Sequence, residues 1–173
     1  MSLNGKKVVI IADNGFVEPE LNYVQYRLLE AGAEVVVATL GKKTVQGGYG
    51  YPVQADVAIS DLNPDDFDGM HTPGGWSPYE LRVDQKTLDF VRKMYEQGKV
   101  IAAICRGVLL LTTAGIMQGK RATTWEDVVD DVKNAGVLFE DAPVIRDQNI
   151  ITSREPDDLP KYMPMVIKAL AEK

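Results

Sequence analysis

Short unbroken apolar runs alternate along this chain with longer mixed stretches that read as helices. Lys7-Val-Val-Ile-Ile-Ala12 is the first run, and a strand without polar alternation is one covered on both faces. Pro19 and Glu20 open a helix that runs to about Ala31 and ends at Gly32, since proline fits a first turn and glycine a helix end. Glu34-Val-Val-Val-Ala-Thr39 is the second run, which completes a βαβ unit with a right-handed crossover. The Gly-rich Gln46-Gly-Gly-Tyr-Gly-Tyr-Pro52 predicts a hairpin or exposed excursion. Asp68-Gly-Met-His-Thr72 predicts a third short strand ending in Pro73-Gly74-Gly75.

A helix from about Asp84 to Gln97, stopped by Gly98, leads into the run Val100-Ile-Ala-Ala-Ile104 and an apolar helix just beyond it. Thr124 to Asn134 predicts a helix capped by Gly136. Pro143 to Ile151 predicts a hairpin turning at Asp147-Gln148-Asn149, and Asp157 to Ala171 a last helix. Strands and helices alternating around a parallel core predict a doubly wound α/β sandwich with helices on both faces, one domain over 1–173. Such sheets place their sites at the carboxyl ends of the strands. Three segments land there: Asp13 to Glu20, Pro73 to Tyr79, and Cys105.

Cys105 is the only cysteine. It closes a buried strand, Gly107 permits a sharp turn, and a helix starts at once: the elbow arrangement that lifts a nucleophile above a sheet. Free N–H groups at a helix start favour an anion, and such surroundings lower a thiol from about 8.5 to roughly 3.5–7.5. Without those surroundings a lone cysteine is a small packed hydrophobe. Glu20, in the first turn of its helix, is placed to hydrogen-bond the sulfur or to complement the helix dipole; Glu18 beside it reads as solvated. Gly74 and Gly75 either form a plain turn or aim their N–H groups at an oxyanion. His71, the sole histidine, sits inside a strand, where a structural role is the commoner one. Trp76, Tyr79 and Trp125 read as pocket walls or packing.

Composition narrows the function. The 173 residues carry a net charge of −6 with no Lys/Arg-rich run, which disfavours nucleic acid and anionic membranes as partners. No apolar run approaches the ~20 residues of a membrane span. The start, Met1-Ser-Leu-Asn-Gly-Lys-Lys, shows no signal-peptide pattern, and a single cysteine allows no intramolecular disulfide, so a cytoplasmic setting is expected. One His and one Cys cannot furnish a typical zinc set, and neither a P-loop nor GxGxxG occurs, so no metal or cofactor is expected.

The runs AICRG, PGGWSP, ATTWEDVVDDVKNAGV and ITSREPDDLP, separated and in order, resemble the ThiJ/PfpI family over nearly the whole chain. The resemblance implies a flavodoxin-like sandwich with an elbow cysteine, assembled as a homodimer or higher homo-oligomer. It implies a nucleophile at Cys105, a contacting carboxyl at Glu20 and a glycine turn at Gly74 and Gly75. Two positions depart from the family pattern. Arg106 stands where a histidine usually follows the cysteine, and Tyr79, followed by Glu80, stands where an acid from a neighbouring subunit orients that histidine. A guanidinium cannot serve as a base. Arg106 is left to steady a thiolate, to clamp a carboxylate, or to pair with an acid such as the partner's Glu80.

Three functions follow. One is a cysteine-dependent enzyme on small reactive carbonyls, of glyoxalase or deglycase type. Another is an intracellular cysteine peptidase or amidase, which needs a proton donor for the leaving amine. The last is a redox sensor or chaperone-like stress protein without turnover. A glutamine amidotransferase would need a histidine after the nucleophile, and none follows position 71.

Overall fold

Neighbouring residues of the central strands pack into opposite layers. Val8 and Ile10 face one side of the sheet, and Val9 and Ile11 the other; Val100, Ala102 and Ile104 divide likewise from Ile101 and Ala103. In the computed structural model, which describes residues 1–173, the strands are therefore buried on both faces, as their unbroken apolar runs require.

Seven strands form the main sheet: β1 (Lys7–Ile11), β2 (Glu34–Thr39), β5 (Val57–Ala58), β6 (Gly69–Thr72), β7 (Val100–Ile104), β10 (Val144–Asp147) and β11 (Ile150–Ser153). Their order is β10-β11-β7-β6-β1-β2-β5, all parallel except β10, which pairs antiparallel with β11. Helices α1 (Glu18–Glu30) and α6 (Leu159–Ala171) cover one face; α2 (Ser77–Leu81), α3 (Gln85–Glu96), α4 (Val108–Thr113) and α5 (Val129–Asn134) lie toward the other. This is a flavodoxin-like doubly wound sandwich. The chain builds outward from β1 through β2 to β5, then returns to β6 and builds the opposite way. In folds of this kind ligands bind beyond the carboxyl ends of the strands at such a reversal, here between β1 and β6.

Two small sheets flank the main one. The Gly-rich excursion is the hairpin β3 (Thr44–Gln46) and β4 (Pro52–Gln54), and β8 (Arg121–Ala122) pairs with β9 (Leu138–Phe139). The predicted helix over Thr124 to Asn134 is shorter in fact: a single tight turn at Glu126–Val128 precedes α5. Trp125 is extended there, and the Thr124 hydroxyl donates to the Cys105 carbonyl at 2.9 Å, which holds the segment against the elbow. The later hairpin extends past Ile151 to Ser153, with Gln148 at its tip in the left-handed region at φ 56°. No helix is long and apolar enough to cross a membrane.

Candidate active site

Three segments from the carboxyl ends of β1, β6 and β7 come together at this reversal. Cys105 follows β7 directly and holds φ at 58°, a conformation that an ordinary side chain adopts only at a cost. Gly107 lets the elbow pack onto β6, since a Cβ there would lie 2.5 Å from the Thr72 carbonyl oxygen. Gly74 does the same for the cysteine: a Cβ on it would lie 2.6 Å from Cys105 Cβ and 2.8 Å from Sγ. These two glycines clear the room in which the nucleophile sits.

Glu20 is fully buried in the first turn of α1. Its Oε2 accepts from the Gly74 N–H at 2.7 Å, Oε1 has no hydrogen-bond partner, and the carboxyl lies close to the Cys105 thiol. Burial pushes the carboxyl up to about 7, against the pull of the Gly74 amide, the Cys105 contact and the Arg106 charge. The thiol moves the same way. Burial first, then the Glu20 charge, push it up to about 12, while the amides of Arg106 and Gly75 and the Arg106 guanidinium draw it down. The sequence-based expectation of a lowered thiol is thus reversed. Cys105 begins a tight turn before a helix of only six residues, and desolvation outweighs the dipole. Below about pH 7 both groups keep their protons; above it Glu20 ionises first, and its charge helps the thiol keep its own.

Gly74 and Gly75 divide the work expected of both. The Gly74 amide is taken by Glu20, whereas the Gly75 and Arg106 amides point at the sulfur. Gly75 has φ of 75°, and a Cβ would meet the Gly15 carbonyl oxygen at 2.2 Å.

Arg106 is paired inside the chain. Its Nε donates to both carboxylate oxygens of Asp127, at 3.2 and 3.0 Å, its second amino group binds the same carboxylate, and its guanidinium carbon lies 5.5 Å from the centroid of the Trp76 ring. Trp76 itself is 65% exposed and packs on Tyr79 with ring centroids 5.2 Å apart. Trp125 is partly buried and, with Thr124, Glu126, Phe139 and Arg154, lines a cleft of about 480 Å³ beside the elbow. Asp127 was not legible as a partner: twenty-one residues separate it from Arg106, and it sits in an acid-rich stretch.

Two neighbours of Glu20 depart from the simplest reading. Glu18 is buried rather than solvated, because its Oε1 accepts from the amides of Tyr49 and Tyr51 at 2.7 and 3.4 Å and fixes the β3–β4 loop. His71 does not reach the sulfur side. Its ring contacts the Glu20 backbone carbonyl and the Tyr162 hydroxyl, and burial holds it down to about 4, so it stays neutral.

Fold and site together define a doubly wound α/β protein with an elbow cysteine and a buried carboxyl partner. The chain belongs to the DJ-1/PfpI family, whose model matches residues 6–169. It is 43% identical over 164 residues to an uncharacterized protein of Archaeoglobus fulgidus, spanning 95% of this chain and 98% of that one. It is 38% identical to the deglycase PfpI of Pyrococcus furiosus, spanning 95% and 99%. Its structure superposes with a TM-score of 0.94 and 33% identity on the crystal structure of a two-domain protein from Anabaena variabilis, with DJ-1/ThiJ/PfpI-like and ferritin-like domains; the match covers 96% of this chain and 48% of that one.

Proposed function

We propose that this protein is a cysteine-dependent enzyme on small reactive carbonyls, of which an α-ketoaldehyde such as methylglyoxal is the simplest. The pairing of Cys105 with Glu20 carries this reading, and the deglycase names of the relatives support it. A carboxyl raised to about 7 is matched to proton transfer at neutral pH. The thiol need not stand ionised: its proton passes to Glu20 as the sulfur attacks.

In the first step the S–C bond forms at the aldehyde carbon, and the carbonyl π electrons move to oxygen. The Gly75 and Arg106 amides stabilise that oxyanion until Glu20 returns the proton, leaving a hemithioacetal. Glu20 then takes the hydrogen of the same carbon as a proton and delivers it to the adjacent carbon through an enediolate. The first carbon is oxidised and the second reduced, so no outside oxidant is needed. Water cleaves the resulting lactoyl thioester, giving lactate and the free thiol.

A peptidase would need a second proton donor for the leaving amine, and His71 is bound away from the sulfur. A sensor thiol is favoured by exposure and a low pKa, and Cys105 has neither. The test is lactate formation from methylglyoxal by wild type and by Cys105→Ser. Turnover that disappears in the variant is expected. Absence of turnover in a wild-type protein whose Cys105 still alkylates would overturn the proposal.

A further inference from the structure

His71 lies on β6 in register with Ile10 of β1 and Ala102 of β7, which fill the corresponding places with apolar side chains packed under α1 and α6. A polar ring at such a place costs stability unless every polar atom on it is bound. Both are. Nε2 lies 2.8 Å from the Glu20 carbonyl oxygen and Nδ1 3.0 Å from the Tyr162 hydroxyl, with His71 and Tyr162 almost wholly buried. A carbonyl only accepts, so Nε2 carries the proton; Nδ1 is left as the acceptor, and the Tyr162 O–H donates to it. The direction of each bond in the chain Tyr162–His71–Glu20 is therefore fixed.

Three residues beyond His71, the Gly74 amide donates to the Glu20 carboxylate. The one segment 71–74 thus grips Glu20 at both ends: by a side chain at its backbone carbonyl, and by a backbone amide at its carboxylate. We propose that His71 and Tyr162 are positioning residues that set the Glu20 carboxyl against Cys105. The inference rests on the reading of Glu20 as the proton carrier. The titratable and charged groups facing Glu20 are Cys105 and Arg106 from the elbow, His71 from β6 and Tyr162 from α6.

The test is the rate of Cys105 alkylation by iodoacetamide in the native protein across pH 5 to 10, alongside kcat and KM for methylglyoxal. Wild type is expected to gain reactivity as the pair loses its first proton near pH 7, and Glu20→Gln to lose that inflection. His71→Leu keeps the bulk and removes the donor. Loosening Glu20 from the Gly74 amide raises its carboxyl further, so the inflection should move up by roughly one unit. kcat should fall by about tenfold or more with KM little changed. His71→Gln, which restores a donor to the carbonyl, should recover most of both.

A wild-type inflection and kcat in His71→Leu, with only melting temperature lowered, would overturn the proposal. Should that variant fail to fold, Tyr162→Phe decides: it removes one hydroxyl, and an unmoved inflection would overturn the proposal equally. An unchanged profile in Glu20→Gln would overturn the proton-carrier reading, and the positioning role with it. A changed Glu20→Gln profile beside an unchanged His71→Leu profile would overturn the positioning role alone.

Discussion

Arg106, next to Cys105, holds Asp127 through two guanidinium nitrogens, with the guanidinium over the Trp76 ring. The arrangement absorbs much of the positive charge that would otherwise act on Cys105. Asp127→Asn leaves that charge less compensated, so the thiol should ionise more readily. Because Arg106 and Asp127 are both partly exposed, the gain is modest: alkylation at pH 7.5 should be about two- to threefold faster. An unchanged rate would mean the guanidinium does not act on the sulfur.

Gly74 has no room for a side chain, with Cys105 Cβ, Sγ and the Arg106 nitrogen all within 3 Å of a would-be Cβ. Two of those atoms are fixed by the elbow backbone and cannot rotate away. Gly74→Ala should therefore displace the elbow, lowering stability by about 1–3 kcal/mol and abolishing turnover. Denaturant unfolding and the lactate assay read the two effects separately.

Glu20 makes a prediction whose sign follows from its burial. In the folded protein it keeps its proton to about pH 7, whereas an unfolded glutamate releases it near 4.5. Between those values the folded state binds more protons, so its stability falls as pH rises. Glu20→Gln has no charge to bury. It should match wild type closely at pH 4.5 and exceed it by roughly 1–3 kcal/mol at pH 8, measured as the difference in unfolding free energy at the two values.

Glu18 holds the β3–β4 loop through two backbone amides, and Gly47 passes so close that a Cβ would lie 2.3 Å from the Glu18 carboxyl carbon. Glu18→Ala removes charge-assisted bonds of about 1.5–3 kcal/mol. Amide exchange at Tyr49 and Tyr51 should accelerate about tenfold or more, and cleavage by chymotrypsin should concentrate there. Protection equal to wild type would place the hold elsewhere.

The unbroken apolar runs carried the fold well, because a strand packed on both faces leaves no ambiguity about its surroundings. That Cys105, Glu20 and the Gly74-Gly75 turn come together was legible because strand ends in a parallel sheet converge whatever the loops do. Strands of two residues, such as Val57–Ala58 and Arg121–Ala122, carry too little pattern to be seen. The sign of the thiol shift was misread because sequence shows the helix start but not how deeply the sulfur is buried beside a carboxyl. Asp127 and Tyr162 act through contacts 21 and 91 residues away along the chain, and no local periodicity encodes such a distance.

The order of the main sheet also decides how copies of this molecule can meet. One margin is β5, only two residues long; the other is β10, a four-residue strand that runs against its neighbour and carries Arg146 and Asp147. Neither margin offers a long flat row of unpaired amides on which another chain could template itself. Growth of the sheet from molecule to molecule, the route into fibres, is blunted at both ends. The main sheet's margins thus disfavour strand-to-strand pairing between molecules, and leave helices, loops and the two flanking sheets as the surfaces on which copies could meet.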